Sequence, residues 1–228
     1  MECHACTTSR PLARATLHGP VHTYTQFMSS GLIEAIAYHG ADPGSDPLWA
    51  DSGAHDNGEY AFWSGRACGM ACLQMILDHL QLPVPGLVPL CLDAFDAGCY
   101  IRRADGGLDG LLYEPFTRFV RKRFGLHASV EVDLGQDRLS SLLHDGALVM
   151  ASVHREIRRP DRPSPGRGGH LVLVIGCGDG QFHIRNPSGH IDGARSAVLP
   201  WDGFEPFFAM RGVAVFPAQS AVGAHSAR

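Results

Sequence analysis

The spacing of apolar positions changes character along this chain. In its first half they recur at the three-to-four-residue interval of helices, and later they fall into short runs and alternations closed by turn residues. Residues 31–38, 59–63, 68–80, 90–98 and 111–124 read as helices, the strongest being 68–80, where Leu73, Ile76, Leu77 and Leu80 share one face. Residues 128–132, 147–153, 171–176, 181–185 and 213–215 read as strands, with one further helix at 136–144. Asp179-Gly180 is a two-residue hairpin signal between two of these strands. Alternation over 21–27 predicts a strand earlier in the chain.

Asp, Gly, Pro and Ser crowd 40–57, three prolines interrupt 82–90, and 158–169 holds three prolines and three glycines, so these stretches read as loops. Gly106 to Gly110 reads as a turn, because no strand leads into it and no Lys-Ser/Thr follows as in a phosphate cradle. Residues 1–20 and 218–228 have no sustained period and read as a loose arm and tail. Helices first and antiparallel strands afterwards predict an α+β fold in one domain over 21–217.

With 45 % apolar residues, a chain of 228 can bury one good core. Its formal charge of −4 leaves no basic footprint for nucleic acid and no polybasic patch for a membrane. The sequence has no run of eighteen apolar residues, and Met1 to Arg14 lacks the continuous apolar stretch of a signal peptide, so a cytoplasmic setting is expected. Seven cysteines, odd in number and widely spread, are expected to be reduced. Cys3-x-x-Cys6 has no second pair and is weak as a metal or redox motif.

Three residues carry candidate chemistry. Cys68 stands where a loop turns into the helix of 68–80, and there unpaired N–H groups and the helix dipole favour a thiolate. Cys72 lies one turn further in and reads, with Cys91, Cys99 and Cys177, as a small core residue. His170 follows Gly168-Gly169 and precedes five apolar residues that would hold it rigidly; His154 and His183, also on expected strands, read as core or rim. Asn186 ends the next strand and precedes Pro187, with Asp192 as the alternative third member. Cys, then His, then Asn is the chain order of a cysteine hydrolase in which His activates the thiol and Asn orients the imidazole.

Cys68-Gly69-Met70-Ala71, His170-Leu171-Val172-Leu173-Val174-Ile175-Gly176 and Asn186-Pro187 resemble the C39-like branch of the papain-like cysteine peptidases. The resemblance implies a papain-like fold, with N-terminal helices carrying the nucleophile packed on a C-terminal antiparallel sheet carrying His and Asn. It also implies an oxyanion-stabilising Gln six residues before the nucleophile, where this chain has Phe62. Val21-His22-Thr23-Tyr24-Thr25-Gln26 is similar to the strand that opens many C39-like sequences. Gln26 is therefore the expected donor, and 27–63 the expected insertion between it and the nucleophile loop.

Asp42, Asp46, Asp51, Asp56 and Glu59, with Trp49 and Trp63, would then wall an acidic, aromatic cleft suited to a basic peptide, or form a solvated cover. The expected activity is hydrolysis of a peptide or amide bond through a thioester, needing no metal and no organic cofactor. Acyl transfer to an amine in a biosynthetic pathway is the first alternative, and an inactive peptide-binding domain is the second. A separate transporter or carrier protein is a further expected partner.

Overall fold

The computed structural model describes residues 16–217, so the Cys3/Cys6 pair lies outside the described residues. The elements run β1 (Thr16–Leu17), α1 (Ile33–His39), α2 (Asn57–Ser64), α3 (Cys68–His79), α4 (Leu87–Asp96), β2 (Ile101–Arg102), β3 (Leu108–Asp109) and α5 (Tyr113–Phe124). They continue through β4 (His127–Glu131), α6 (Gln136–His144), β5 (Leu148–Val153), β6 (His170–Gly178), β7 (Gln181–Arg185), α7 (Asp192–Arg195), β8 (Ser196–Pro200), α8 (Trp201–Phe204) and β9 (Phe208–Phe216). The main sheet is antiparallel in the order β4-β9-β5-β6-β7-β8, with β1 paired to β6. The fold is α+β, and a mainly helical first half packs against this sheet.

Alternation along the central strands sends side chains into two cores. Met150, Leu171, Leu173 and Val213 face α2 to α5, while Val149, Val172, Val174 and Ala214 face α6 and α8. Both faces are covered, which is why β5 and β6 read as nearly continuous apolar runs. Helix α3 is deeper than an amphipathic pattern predicts, since every residue from Gly69 to Leu77 is buried. A helix apolar all round belongs inside a core. It is packed from one side by α4 and from another by β6.

Three local expectations are corrected. Residues 21–27 form no ladder; Arg185 Nε donates to the Val21 carbonyl and Gln26 N–H to that of Pro187, so the alternation serves wall contacts instead of strand pairing. Thr16 and Leu17, read as part of a loose arm, pair with Cys177 and Gly176. The stretch 40–57 folds into two 3₁₀ turns, Pro43–Ser45 and Trp49–Ser52, around the buried Asp46. Asp46 accepts hydrogen bonds from Ser29 N–H (2.9 Å), Leu48 N–H (2.9 Å), Ser29 Oγ–H (2.5 Å) and Tyr60 O–H (2.7 Å). In addition, β8, which had no counterpart among the expected strands, ends on Pro200, a residue that an edge strand tolerates.

Candidate active site

Two glycines set the start of β6. Gly168 and Gly169 have φ of +78° and +91°, a conformation that costs glycine little, and they turn the chain so that β6 begins at His170. Opposite, α3 begins at Cys68. Gly69 lets the two approach: a Cβ there would stand 2.8 Å from Leu111 Cδ2 and 3.2 Å from Leu171 Cδ1. Cys68 and His170 together line a cavity of about 260 Å³, with Leu111, Tyr113 and Ser152 among its other walls. The larger cavity of about 460 Å³ between α4 and α5 contains neither cysteine nor histidine.

His170 is 6 % exposed and Asn186 fully buried. The Ser188 backbone N–H can only donate, so the Asn186 atom 3.0 Å from it is the carbonyl oxygen Oδ1. The same oxygen lies 2.9 Å from His170 Nε2, which therefore carries the ring proton. Nδ1 is left as the proton acceptor. Burial lowers the His170 pKa to about 4, more than the hydrogen bond to Asn186 raises it, with Arg158 and His154 acting in the same direction as burial. The ring is neutral at pH 7.

Cys68 is half-buried. Burial pushes its thiol above the ordinary value, outweighing the backbone amides of Leu171, Gly69 and Cys68 itself and the charge of Arg158, which act to lower it. The helix-start expectation of a preformed thiolate is thereby corrected: the amides are present, but desolvation of the sulfur is larger. A neutral thiol and a neutral imidazole thus line one cavity. Cys72 is buried outright and its Sγ–H donates to the Leu171 carbonyl at 3.7 Å.

Asn186 joins this group, whereas Asp192 does not: its carboxylate pairs with Arg195 on the surface. Gln26 is buried but is not among the cavity's lining residues. One N–H of its side-chain amide donates to the Ser64 carbonyl at 2.7 Å, leaving the second, and Oε1 is buried without a partner. The acidic stretch does not wall this cavity either, and no Asp or Glu lines it. No cluster of three or more His, Cys, Asp or Glu side chains that could hold a metal occurs among the described residues.

Two residues escaped sequence reasoning. Ser188 Oγ lies 2.9 Å from His170 Nε2 and 3.1 Å from Asn186 Oδ1, and it accepts from Arg158 Nε at 3.0 Å. Arg158, only 9 % exposed, thus places a buried cation behind the imidazole. The Asn-Pro-Ser sequence was available as a signal for Ser188, since two-residue spacing across a turn returns a side chain to its neighbour; Arg158 comes from a distant 3₁₀ turn and had none.

These features define an α+β domain in which a thiol at a helix start and an amide-oriented imidazole on a sheet line one cavity. Scanned against protein-family models the chain matches none, and it matches no curated protein. Solved structures do resemble it. The peptidase domain of Streptococcus ComA, a bifunctional ABC transporter involved in quorum sensing, is 13 % identical at a TM-score of 0.45, covering 67 % of this chain and 93 % of that one. A double-glycine-motif protease from an AMS/PCAT transporter, in complex with the leader peptide, is 18 % identical (TM-score 0.43; 66 % and 84 % covered). A protein described as a C39-like peptidase from Bacillus anthracis is 15 % identical (TM-score 0.46; 66 % and 88 % covered). At these values the likeness assigns no role to any residue here.

Proposed function

We propose that this protein is a cysteine-dependent peptidase or amidase, with 21–217 as one C39-like domain, 27–63 inserted in it, and a cytoplasmic setting. The observation that carries the reading is the convergence of Cys68 and a tautomer-fixed His170 on one cavity. His170 Nδ1 takes the thiol proton as Cys68 Sγ bonds to the substrate carbonyl carbon. The resulting oxyanion is received by the Cys68 backbone N–H, with Gln26 as the proposed second donor through the N–H that it does not give to Ser64. His170 then protonates the leaving amine, and the C–N bond breaks to a thioester. Water, deprotonated by the same ring, releases the acid and restores the thiol. Asn186 keeps the ring in the Nε2–H tautomer throughout.

p-Nitrophenyl acetate tests the sequence of steps. An acetyl adduct on Cys68, released by hydroxylamine and absent from Cys68→Ser and His170→Ala, is the expected result; an unmodified Cys68 would sink the reading. Acyl transfer shares every step up to the thioester. An added amine that captures the acyl group faster than water would favour that alternative.

A further inference from the structure

The cavity around Cys68 has a sign as well as a shape. Arg66, from the turn before α3, and Arg211, from β9, both line it, and no carboxylate does. Neither arginine has an Asp or Glu oxygen within 4.0 Å among the described residues, whereas Arg103, Arg138, Arg167 and Arg195 are paired with Asp105, Glu131, Glu205 and Asp192. Arg66 is held without being used up: Nη1 donates to the Phe62 carbonyl at 2.7 Å and the guanidinium stacks 4.6 Å over the Phe62 ring, leaving most of its N–H donors available. Arg211 is exposed and interacts with the Tyr113 hydroxyl, which also meets Ser152.

The chain as a whole carries −4, so a cavity bearing two unpaired guanidiniums, with the Arg158 charge behind it, runs against the net field. Clustered cations with low-dielectric walls concentrate anions at a site. Guanidinium forks match planar carboxylates. Resting on the nucleophile reading above, we propose that the substrate carries a carboxylate next to the scissile carbonyl, as an acidic side chain or a free carboxyl terminus, recognised by Arg66 and Arg211. A basic peptide, which the acidic stretch suggested, is the opposite chemistry.

Iodoacetate and iodoacetamide separate charge from reactivity, because both alkylate a thiolate and differ chiefly in the carboxylate. At about 20 mM salt, where screening is weak, the iodoacetate-to-iodoacetamide rate ratio at Cys68 is expected to exceed that of 2-mercaptoethanol about tenfold. It should fall several-fold in Arg66→Gln and in Arg211→Gln, and hold in Arg103→Gln, a residue outside the cavity. A ratio equal to that of the small thiol, or indifferent to both cavity substitutions, overturns the proposal while leaving Cys68 as nucleophile.

If Cys68 reacts with neither reagent, the nucleophile reading fails, and calorimetric titration of Cys68→Ser decides the anion site. The probes are N-acetyl-Glu-Gly amide, N-acetyl-Gln-Gly amide and N-acetyl-Gln-Gly free acid. About tenfold tighter binding of the first or third identifies which carboxylate is recognised. Equal affinity for all three overturns the proposal.

Discussion

His170 is oriented from behind and left chemically free in front. Asn186 Oδ1 takes three donors, the His170 ring and the N–H and O–H of Ser188, and this leaves Asn186 Nδ2 buried without a partner. An unmade buried hydrogen bond costs about 1–3 kcal/mol, so the amide orientation is maintained against a real penalty. Asn186→Asp removes the orphaned donor and adds a charge beside the ring. By opposite-charge stabilisation it should raise the His170 pKa by roughly 1–3 units from its depressed value. Nitrogen-15 NMR of the ring checks this: a neutral Nε2–H tautomer across pH 5–8 in the parent protein, and titration moved toward pH 6 in the variant. An unchanged ring would show that the carboxyl stays protonated. Ser188→Ala should strand Arg158 Nε, cost about 1–3 kcal/mol on denaturant unfolding, and slow Cys68 alkylation. Of these residues Asn186 was read from the sequence, Ser188 had a local signal in Asn-Pro-Ser, and Arg158 had none, because it reaches Ser188 only through the folded chain.

At the scale of elements, the meeting of α3 with β6 decides the site, and here sequence pattern was strong. The bounds of α3, α5, α6 and β7 followed from periodicity and from Gly or Asp stops, and the switch from loop to helix at Cys68 was legible for the same reason. What failed was context. The stretch 21–27 alternates like a strand, yet the strand ladder has no place for it, and Gln26 meets Ser64 across a chain separation that no local pattern encodes. Asp46 likewise looked like one of several solvated acids, although its carboxyl organises the 27–63 segment. Burial alone would raise its pKa, but hydrogen bonds from Ser29, Tyr60 and Leu48 outweigh that and hold it below the ordinary value. Asp46→Ala should therefore destabilise by about 3 kcal/mol and open residues 27–63 to limited proteolysis before the sheet unfolds; proteolysis no faster than in the parent would contradict this. Gly69→Ala tests the helix–strand approach, with Leu111 displaced by the new methyl at a cost of about 1–3 kcal/mol, read by thermal unfolding.

Across the whole molecule, the α+β class followed from the order of periodicities, while the burial of β5 and β6 on both faces emerged only with the helices packed on each side of the sheet. The sign of the active cavity did not follow from the chain's charge, since −4 overall says nothing of where Arg66 and Arg211 converge. Three buried or half-buried histidines, His18, His170 and His190, have pKa values lowered first by burial. Each is held neutral in the fold and binds a proton more readily once unfolded. Stability from these groups is thus present above about pH 6.5 and is lost as pH falls toward 4. His170 alone accounts for about 2 kcal/mol between pH 7 and 5, given its pKa of about 4. Urea unfolding at the two pH values should show a loss smaller by that amount in His170→Gln, and equal losses in the two proteins would argue against it.

The central claim is that Cys68 is a nucleophile activated by His170, and mapped alkylation tests it most directly. Reduced protein treated with iodoacetamide from pH 6 to 9.5 is digested and each cysteine quantified by mass spectrometry, in parallel with His170→Ala. The account predicts that Cys68 reacts ahead of the buried Cys72, Cys91 and Cys99. Its rate should climb through pH 8 without an acidic plateau, because burial raises the thiol pKa, and it should drop when the imidazole is removed. Labelling confined to Cys3 and Cys6, or a Cys68 rate indifferent to His170, would contradict it.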